Sequence, residues 1–289
     1  MRGRRMAFLT TDDLTGFVCD DELAVPALEA RGWTVEMVPW RRPVDWDRFD
    51  LVVIRSTWDY QKDPELFLGT LRRIDASRAR LENPLPLVEW NLRKSYLQDL
   101  AAQGVPVAPT HWATGLDGAT LEACFRRWRT DELVLKPIVG ANADDTFRLP
   151  RGQVQEFLPR LREVYRDRVV LVQPFLEAVV AEGEYSLFYF GGRLSHVILK
   201  TPKAFDFRVQ EEHGGLIQPV PRARVEEALL RQGERAMAAL PWRPLYARVD
   251  LVRHGESFVV MEFELIEPAL YFRMDPESPE RFAAAVAEL

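Results

Sequence analysis

The sequence predicts a small doubly wound α/β domain followed by a two-part α+β fold. Three observations carry this. The first third alternates strand-like and helix-like stretches, and its run Leu51-Val52-Val53-Ile54 is continuously apolar, as a parallel strand covered on both faces requires. Glu184 to Phe190 and Arg193 to Lys200 form an antiparallel hairpin around Gly191-Gly192. Leu245 to Phe272 reads as a second hairpin, with three carboxylates on one face. The domains that follow are 1–90, 91–175 and 176–289.

Taken in order, Met6 to Thr10 is a strand, Asp20 to Arg31 a helix closed by Gly32, and Trp33 to Trp40 and Leu51 to Thr57 are strands. Glu65 to Ala76 is a helix. Ligands of doubly wound sheets lie at the carboxyl ends of strands. Here those ends carry Thr11, Asp12 and Asp13, then Arg55, Ser56, Thr57, Trp58, Asp59 and Tyr60. Ordinary loop chemistry is the alternative for this segment.

Asn83-Pro84-Leu85-Pro86 marks a boundary, and a helix from about Leu92 to Gln103 follows, with Lys94 in its first turn. A helix dipole disfavours a cation there, which suggests a nearby anion; a solvated lysine is the alternative. Leu121 to Trp128 is helical, and Leu133 to Lys136 is a strand. Lys136 on an apolar strand needs a phosphate or a carboxylate as partner. The small-residue loop from Val139 to Thr146, with Gly140, can wrap phosphates, although it lacks the P-loop pattern. After a helix from Gln153 to Arg166, the strand from Val169 breaks at Pro174, freeing backbone groups beside Gln173 and Phe175 for an adenine edge. Lys200, Lys203, Arg208 and His213-Gly214-Gly215 share one polar loop. A helix from Arg224 to Ala239 leads to the acidic hairpin.

In that hairpin Glu262 and Glu264 share a face, Met261, Phe263 and Leu265 take the other, and Asp250 sits across the pair. Like charges at ~4 Å and an effective dielectric of ~20 repel by roughly 4 kcal/mol. Mg²⁺ offsets such repulsion; the alternative is a solvated face whose acids pair with Arg248 or Arg253.

The chain has 289 residues, 47% hydrophobic and 28% charged, which suits a soluble globular protein of about two domains. Its net charge of −6 disfavours non-specific nucleic-acid binding. The basic start lacks a signal peptide's apolar core, and no apolar run approaches the ~18 residues of a membrane span. Cys19 and Cys124 lack metal or redox spacing and read as reduced thiols of a cytoplasmic protein.

In this order, the segments from about Asn91 to Tyr271 resemble the ATP-grasp ligases, with a preceding α/β domain of suitable size. The resemblance implies that Lys94 and Lys136 contact ATP phosphates under the loop containing Gly140. It implies that Gln173, Pro174, Phe175 and Leu176 read adenine, that Glu184 holds the ribose, and that Asp250, Glu262 and Glu264 bind Mg²⁺. Asp206-Phe207-Arg208 with His213-Gly214-Gly215 looks like the arginine and glycine loop of the glutathione synthetase and ribosomal-protein glutamate ligase branch, where the arginine stabilises an acyl-phosphate. Glu264 stands where many members carry Asn. The segments 55–60, 200–203 and 207–215 are similar to the branch containing the D-cycloserine-forming cyclo-ligase, which closes an O-ureido-D-serine ring.

The implied function is an ATP-dependent carboxylate–amine ligase. It forms an acyl-phosphate that an amine displaces, releasing ADP and phosphate. The rivals are a phosphotransferase on the same fold and a non-catalytic nucleotide-binding module. The partners are a small carboxylate and an amine, with no nucleic acid and no membrane; a homodimer stays open. Arg55 holds the substrate carboxylate and Asp59 an ammonium, while Trp58 and Tyr60 wall the pocket. Ser56, Thr57, Lys200, His213, Gly214 and Gly215 complete the expected substrate site.

Overall fold

A computed structural model of the protein describes residues 3–140 and 143–289. Ala141 and Asn142, inside the expected phosphate loop, lie outside the described residues.

Strands β1 (Arg4–Thr10), β2 (Trp33–Pro39), β3 (Leu51–Ser56) and β4 (Arg80–Glu82) form a parallel sheet in the order β2-β1-β3-β4. Alternation sends Met6, Phe8, Leu51 and Val53 to one face and Ala7, Leu9, Val52 and Ile54 to the other, and both faces are buried. The helix expected over 20–31 opens as a 3₁₀ turn, Asp21–Ala24, and continues as α1 (Val25–Glu29), which packs Ala27 and Leu28 on the first face. Helix α2 (Pro64–Asp75) covers the second face with Phe67, Leu71 and Ile74. Its first turn is set by Pro64 and by the Asp63 carboxylate, which accepts the Leu66 N–H at 3.2 Å.

Helix α3 (Leu85–Asn91) starts within the stretch 83–86; a proline in a first turn has no N–H to satisfy. Helix α4 spans only Tyr96–Ala102. Lys94 therefore lies in the turn between two helices rather than in a first turn, and its backbone N–H reaches the Ile138 carbonyl at 2.8 Å.

The second sheet is antiparallel. It contains β5 (His111–Thr114), β6 (Glu132–Pro137), β7 (Phe147–Pro150) and β8 (Val169–Pro174) in the order β5-β8-β6-β7. Helices α5 (Gly118–Trp128) and α6 (Val154–Val164) cover one face through Leu121, Phe125, Leu158 and Leu161. The alternate residues Val134, Lys136 and Gln173 face a cleft.

A short helix, α7 (Ala178–Ala181), leads into the third sheet: β9 (Glu184–Phe190), β10 (Arg193–Thr201), β11 (Leu216–Pro219), β12 (Tyr246–His254) and β13 (Ser257–Glu264), ordered β11-β10-β9-β12-β13. Helix α8 (Glu227–Ala238) backs it at Leu187, Tyr189, Val249 and Leu251. Phe282, Ala283 and Val286 of α9 (Ser278–Ala287) share one core with Phe188 and Phe190 of this sheet and Met6 and Phe8 of the parallel sheet. Strands β5 and β11, and helix α9, escape the sequence reading. The two strands have four residues each, too few to show a period, and the Ala283-Ala284-Ala285 run gives α9 little contrast between faces. Among the described residues no helix is long and apolar enough to cross a membrane.

His196 of β10 stacks on Phe188, with ring centroids 4.2 Å apart, and its Nε2 donates to the Leu270 carbonyl at 2.9 Å. Burial pulls its pKa from 6.5 down to about 4. At this residue the folded state therefore binds fewer protons than the unfolded chain between those values, so the His196 contribution to stability falls as pH drops from 6.5 towards 4. Thermal unfolding of wild type beside His196→Gln, which keeps a donor but does not titrate, should show the wild-type melting temperature falling relative to the variant's over that range.

Candidate active site

Strands β12 and β13 pair with Asp250 opposite Glu262 and Arg248 opposite Glu264. A bulge between Asp250 and Leu251 gives β13 one extra residue, Met261. Met261 therefore turns into the cleft beside Glu262 and packs towards Val209 and Leu176, rather than joining Phe263 and Leu265 in the core behind the sheet.

One cleft between the second and third sheets gathers Lys94, Lys136, Gly140, Gln173, Pro174, Phe175, Leu176, Glu184, Lys200, Arg208, Glu262 and Glu264. Trp58 and Tyr60 reach it from the loop after β3. The Phe175 N–H is not free as expected; it donates to the Glu132 carbonyl at 3.0 Å, because the β6 backbone continues past Pro174. Leu176, the next residue along the chain, lines the cleft, with its carbonyl accepting from the Val179 N–H at 3.0 Å.

The acids are matched by cations. Glu262 pairs with Lys94, and Glu264 with Arg248. Asp250 is 2% exposed and accepts from Ser186 Oγ, from Arg248 Nη2 at 2.9 Å and from Lys200 Nζ at 3.2 Å; Lys200 also reaches Glu184 at 2.6 Å. Burial opposes the charge on Asp250, but Arg248 and Lys200 outweigh it and hold the pKa at about 2. Burial dominates at Glu264, and with Asp250 and Glu262 nearby its pKa rises to about 7 despite Arg248. Burial lowers the Lys136 pKa, and the opposing pull of Glu262 does not restore it.

Among the described residues no set of three or more His, Cys, Asp or Glu side chains is arranged to hold a metal ion. Of the expected trio, Asp250 has its oxygens taken by Arg248, Lys200 and Ser186. Arg253 pairs elsewhere, with Glu182 and Glu226. Glu262 and Glu264, each with a single cation as partner and both lining the cleft, are hard oxygen donors of the kind that fits a divalent cation such as Mg²⁺.

Past β13 the chain leaves the sheet, and six successive carbonyls lean on side chains. Asn83 Nδ2 donates to Leu265 O at 2.7 Å, Trp58 Nε1 to Glu267 O at 2.9 Å and Arg55 Nη2 to Pro268 O at 2.7 Å. The Tyr246 hydroxyl shares its proton between Ile266 O, at 2.8 Å, and Ile54 O, at 2.7 Å. Arg248 Nη1 reaches Ala269 O at 3.4 Å, and His196 holds Leu270 O.

This corrects the role expected of Arg55. It is fully buried, does not line the cleft and donates through Nε and Nη2 to Asp21 Oδ1 at 3.0 and 2.9 Å. It is a buried tie and not a carboxylate receptor. Asp59 likewise faces away from the cleft, bound by Trp40 Nε1 at 2.7 Å and Arg41 Nε at 3.0 Å. The Ser56 hydroxyl donates to Thr10 Oγ1 at 3.0 Å, and Thr57 is fully buried; neither lines the cleft. His213, Gly214 and Gly215 stand outside its lining too. Gly214 has φ +85°, and a Cβ on Gly215 would lie 2.1 Å from Val209 O. Both glycines shape the loop that carries Arg208 to the cleft. Arg208 is held there by Asp206, through Nη2–Oδ2 at 2.8 Å and Nε–Oδ1 at 3.1 Å.

Arg248 and Glu267 are among the cleft residues that escape the sequence reading as site residues. Arg248 was visible only as a counter-ion, although it sits two residues from Asp250 and therefore on the same face. Glu267 lies beyond the strand, where alternation no longer assigns a face. It is 8% exposed, lines the cleft and has its pKa pushed up to about 8 by burial and by Glu264.

The fold extends over solved structures of known class. D-alanine–D-alanine ligase from Bacillus anthracis, complexed with ATP, matches with a TM-score of 0.68 at 15% identity, covering 99% of this chain and 96% of that one. The ATP-grasp ligase PsnB, complexed with a precursor variant, Mg and ADP, matches with a TM-score of 0.65 at 15% identity over 98% of both chains. The chain thus has the fold of these ATP-grasp ligases. The cycloserine biosynthesis protein DcsG of Streptomyces lavendulae is 35% identical over 292 residues, 91% of this chain and 92% of that protein. The crystal structure of D-cycloserine synthetase DcsG matches with a TM-score of 0.86 at 32% identity, covering 98% of this chain and 99% of that one. Residues 6–83 match the family described as the N-terminal domain of D-cycloserine synthetase DcsG. The chain belongs to the D-cycloserine synthetase family and is an ATP-dependent ligase that joins a carboxylate to an amine.

Removing Arg55 leaves Asp21 buried without its counter-charge. Arg55→Leu should cost ~3–5 kcal/mol of folding stability in urea titrations, and adding Asp21→Asn should recover part of it. A role limited to substrate binding would leave the urea midpoint unchanged.

Proposed function

We propose that this enzyme uses Mg²⁺ and ATP to activate the carboxylate of a small amino acid and closes a side-chain nitrogen of the same molecule on it, as the ureido nitrogen does in ring closure of O-ureido-D-serine. The observation that carries this is the gathering, in one cleft, of Lys94, Lys136, Arg208 and Arg248 with Glu262 and Glu264, with Trp58 and Tyr60 as a wall. Such a wall suits a compact substrate.

Lys94 and Lys136 hold the ATP phosphates. Lys94 then exchanges Glu262 for phosphate, and Lys136 gains the anion that its burial lacks. Glu262, once released, would hold Mg²⁺ together with Glu264, and the metal would supply positive charge beside the phosphates. Gln173 to Leu176 face the adenine, with Leu176 supplying backbone groups, and Glu184 faces the ribose. The substrate carboxylate attacks the γ-phosphoryl group, ADP leaves, and an acyl-phosphate forms. The amine adds to its carbonyl, phosphate departs, and the nitrogen loses a proton. Arg208 and Arg248 stabilise the developing oxyanion because a guanidinium stays charged and donates in a fork.

Stoichiometry tests this reading. ADP and free phosphate should appear one for one with ring closure, whereas a phosphotransferase would keep the phosphoryl group on a stable product. Arg208→Ala should lower kcat by roughly 10²–10³ while ATP still raises the melting temperature. Glu262→Gln should abolish turnover at limiting Mg²⁺ and leave the circular dichroism spectrum intact. In thermal-shift measurements ATP should stabilise the protein more than GTP; equal shifts would remove the adenine assignment.

A further inference from the structure

We infer that Glu267 receives the ammonium group of the amino-acid substrate and so selects amino acids over their des-amino counterparts. This rests on the ligase reading above. Glu267 is 8% exposed, yet its side chain lines the cleft. Its backbone is held on both sides, by the Tyr246 hydroxyl on the carbonyl of Ile266 and by Trp58 on its own. The Cα from which the carboxylate enters the cleft is therefore held in place by the protein itself.

The three glutamates of this wall differ in their partners. Glu262 has Lys94, and Glu264 has Arg248. Glu267 has the Tyr60 hydroxyl and, among the described residues, no salt bridge. Leaving a carboxylate buried without a cation is costly, and the two nearest cations are already engaged. A substrate ammonium supplies the missing charge and three N–H donors. Trp58 and Tyr60 line the same end of the cleft, and aromatic faces attract such a cation. The site that Arg55 and Asp59 fail to provide is thus supplied by the segment that Arg55 holds in place. The role is one of binding; no bond forms or breaks at Glu267.

The test compares O-ureido-D-serine with its des-amino counterpart, following ADP release. Wild-type enzyme should show a KM roughly 30-fold or more lower for the amino acid, as expected for a buried charge pair. Glu267→Gln should raise the amino-acid KM by a similar factor, leave kcat within a few fold, erase the preference and leave the ATP-induced melting shift unchanged. A wild-type KM ratio near one overturns the assignment, and that measurement needs no variant. So does a Glu267→Gln enzyme that loses kcat on both compounds at unchanged KM, which would make Glu267 a proton acceptor, or one whose defect is cured by added Mg²⁺, which would make it a metal ligand. ATP binding without ADP release from either compound, or from any other small amino acid tried, would overturn the ligase reading beneath it.

Discussion

The structure depends on how the chain from Leu265 to Leu270 is held after it leaves β13. Buried carbonyls need donors, and here no neighbouring strand supplies them. Asn83, Trp58 and Arg55 come from the N-terminal part of the chain, and Tyr246, Arg248 and His196 from the third sheet. The segment is consequently a joint between the parallel sheet and the acid-bearing hairpin. Arg55 is central to it, tied to Asp21 and lying 5.0 Å from the Tyr246 ring centroid. The shared core of Phe8, Phe190 and Phe282 keeps the same two sheets in fixed relation. The N-terminal domain therefore shapes the cleft wall through backbone carbonyls as well as through Trp58 and Tyr60.

Charge organisation in the cleft follows from burial. Carboxylates removed from water require partners, and the chain supplies them pairwise: Lys94 for Glu262, Arg248 for Glu264 and Asp250, and Lys200 for Glu184 and Asp250. Arg248 reaches both acids through Nη2 and adds Nε to Asp250 at 3.1 Å, a paired contact that a lysine ammonium at that place would not reproduce. In the proposed reaction the same groups change partners, with phosphate taking the place of a carboxylate at Lys94. Burial raises the pKa values of Glu264 and Glu267 to about 7 and about 8, and added positive charge beside either would favour its ionised form.

The sequence by itself determined the doubly covered parallel sheet, because four consecutive apolar residues in β3 leave no face for water. It determined the acidic hairpin, since alternation puts Glu262 and Glu264 on one face whatever surrounds them. It also carried the family, through lysines, arginine and acids in a recognisable order. Only the tertiary structure decided the rest. The bulge moved Met261 into the cleft, because an extra residue breaks the two-residue period. Arg55, Asp59 and Trp58 follow one strand end, yet the cleft takes Trp58 and not the others, because Asp21, Trp40 and Arg41 lie elsewhere in sequence and claim them. Glu267 became part of the wall through hydrogen bonds spanning more than two hundred residues. Period and composition report which face of an element is buried; they carry no information on which distant side chain satisfies an irregular backbone, and that choice set the cleft.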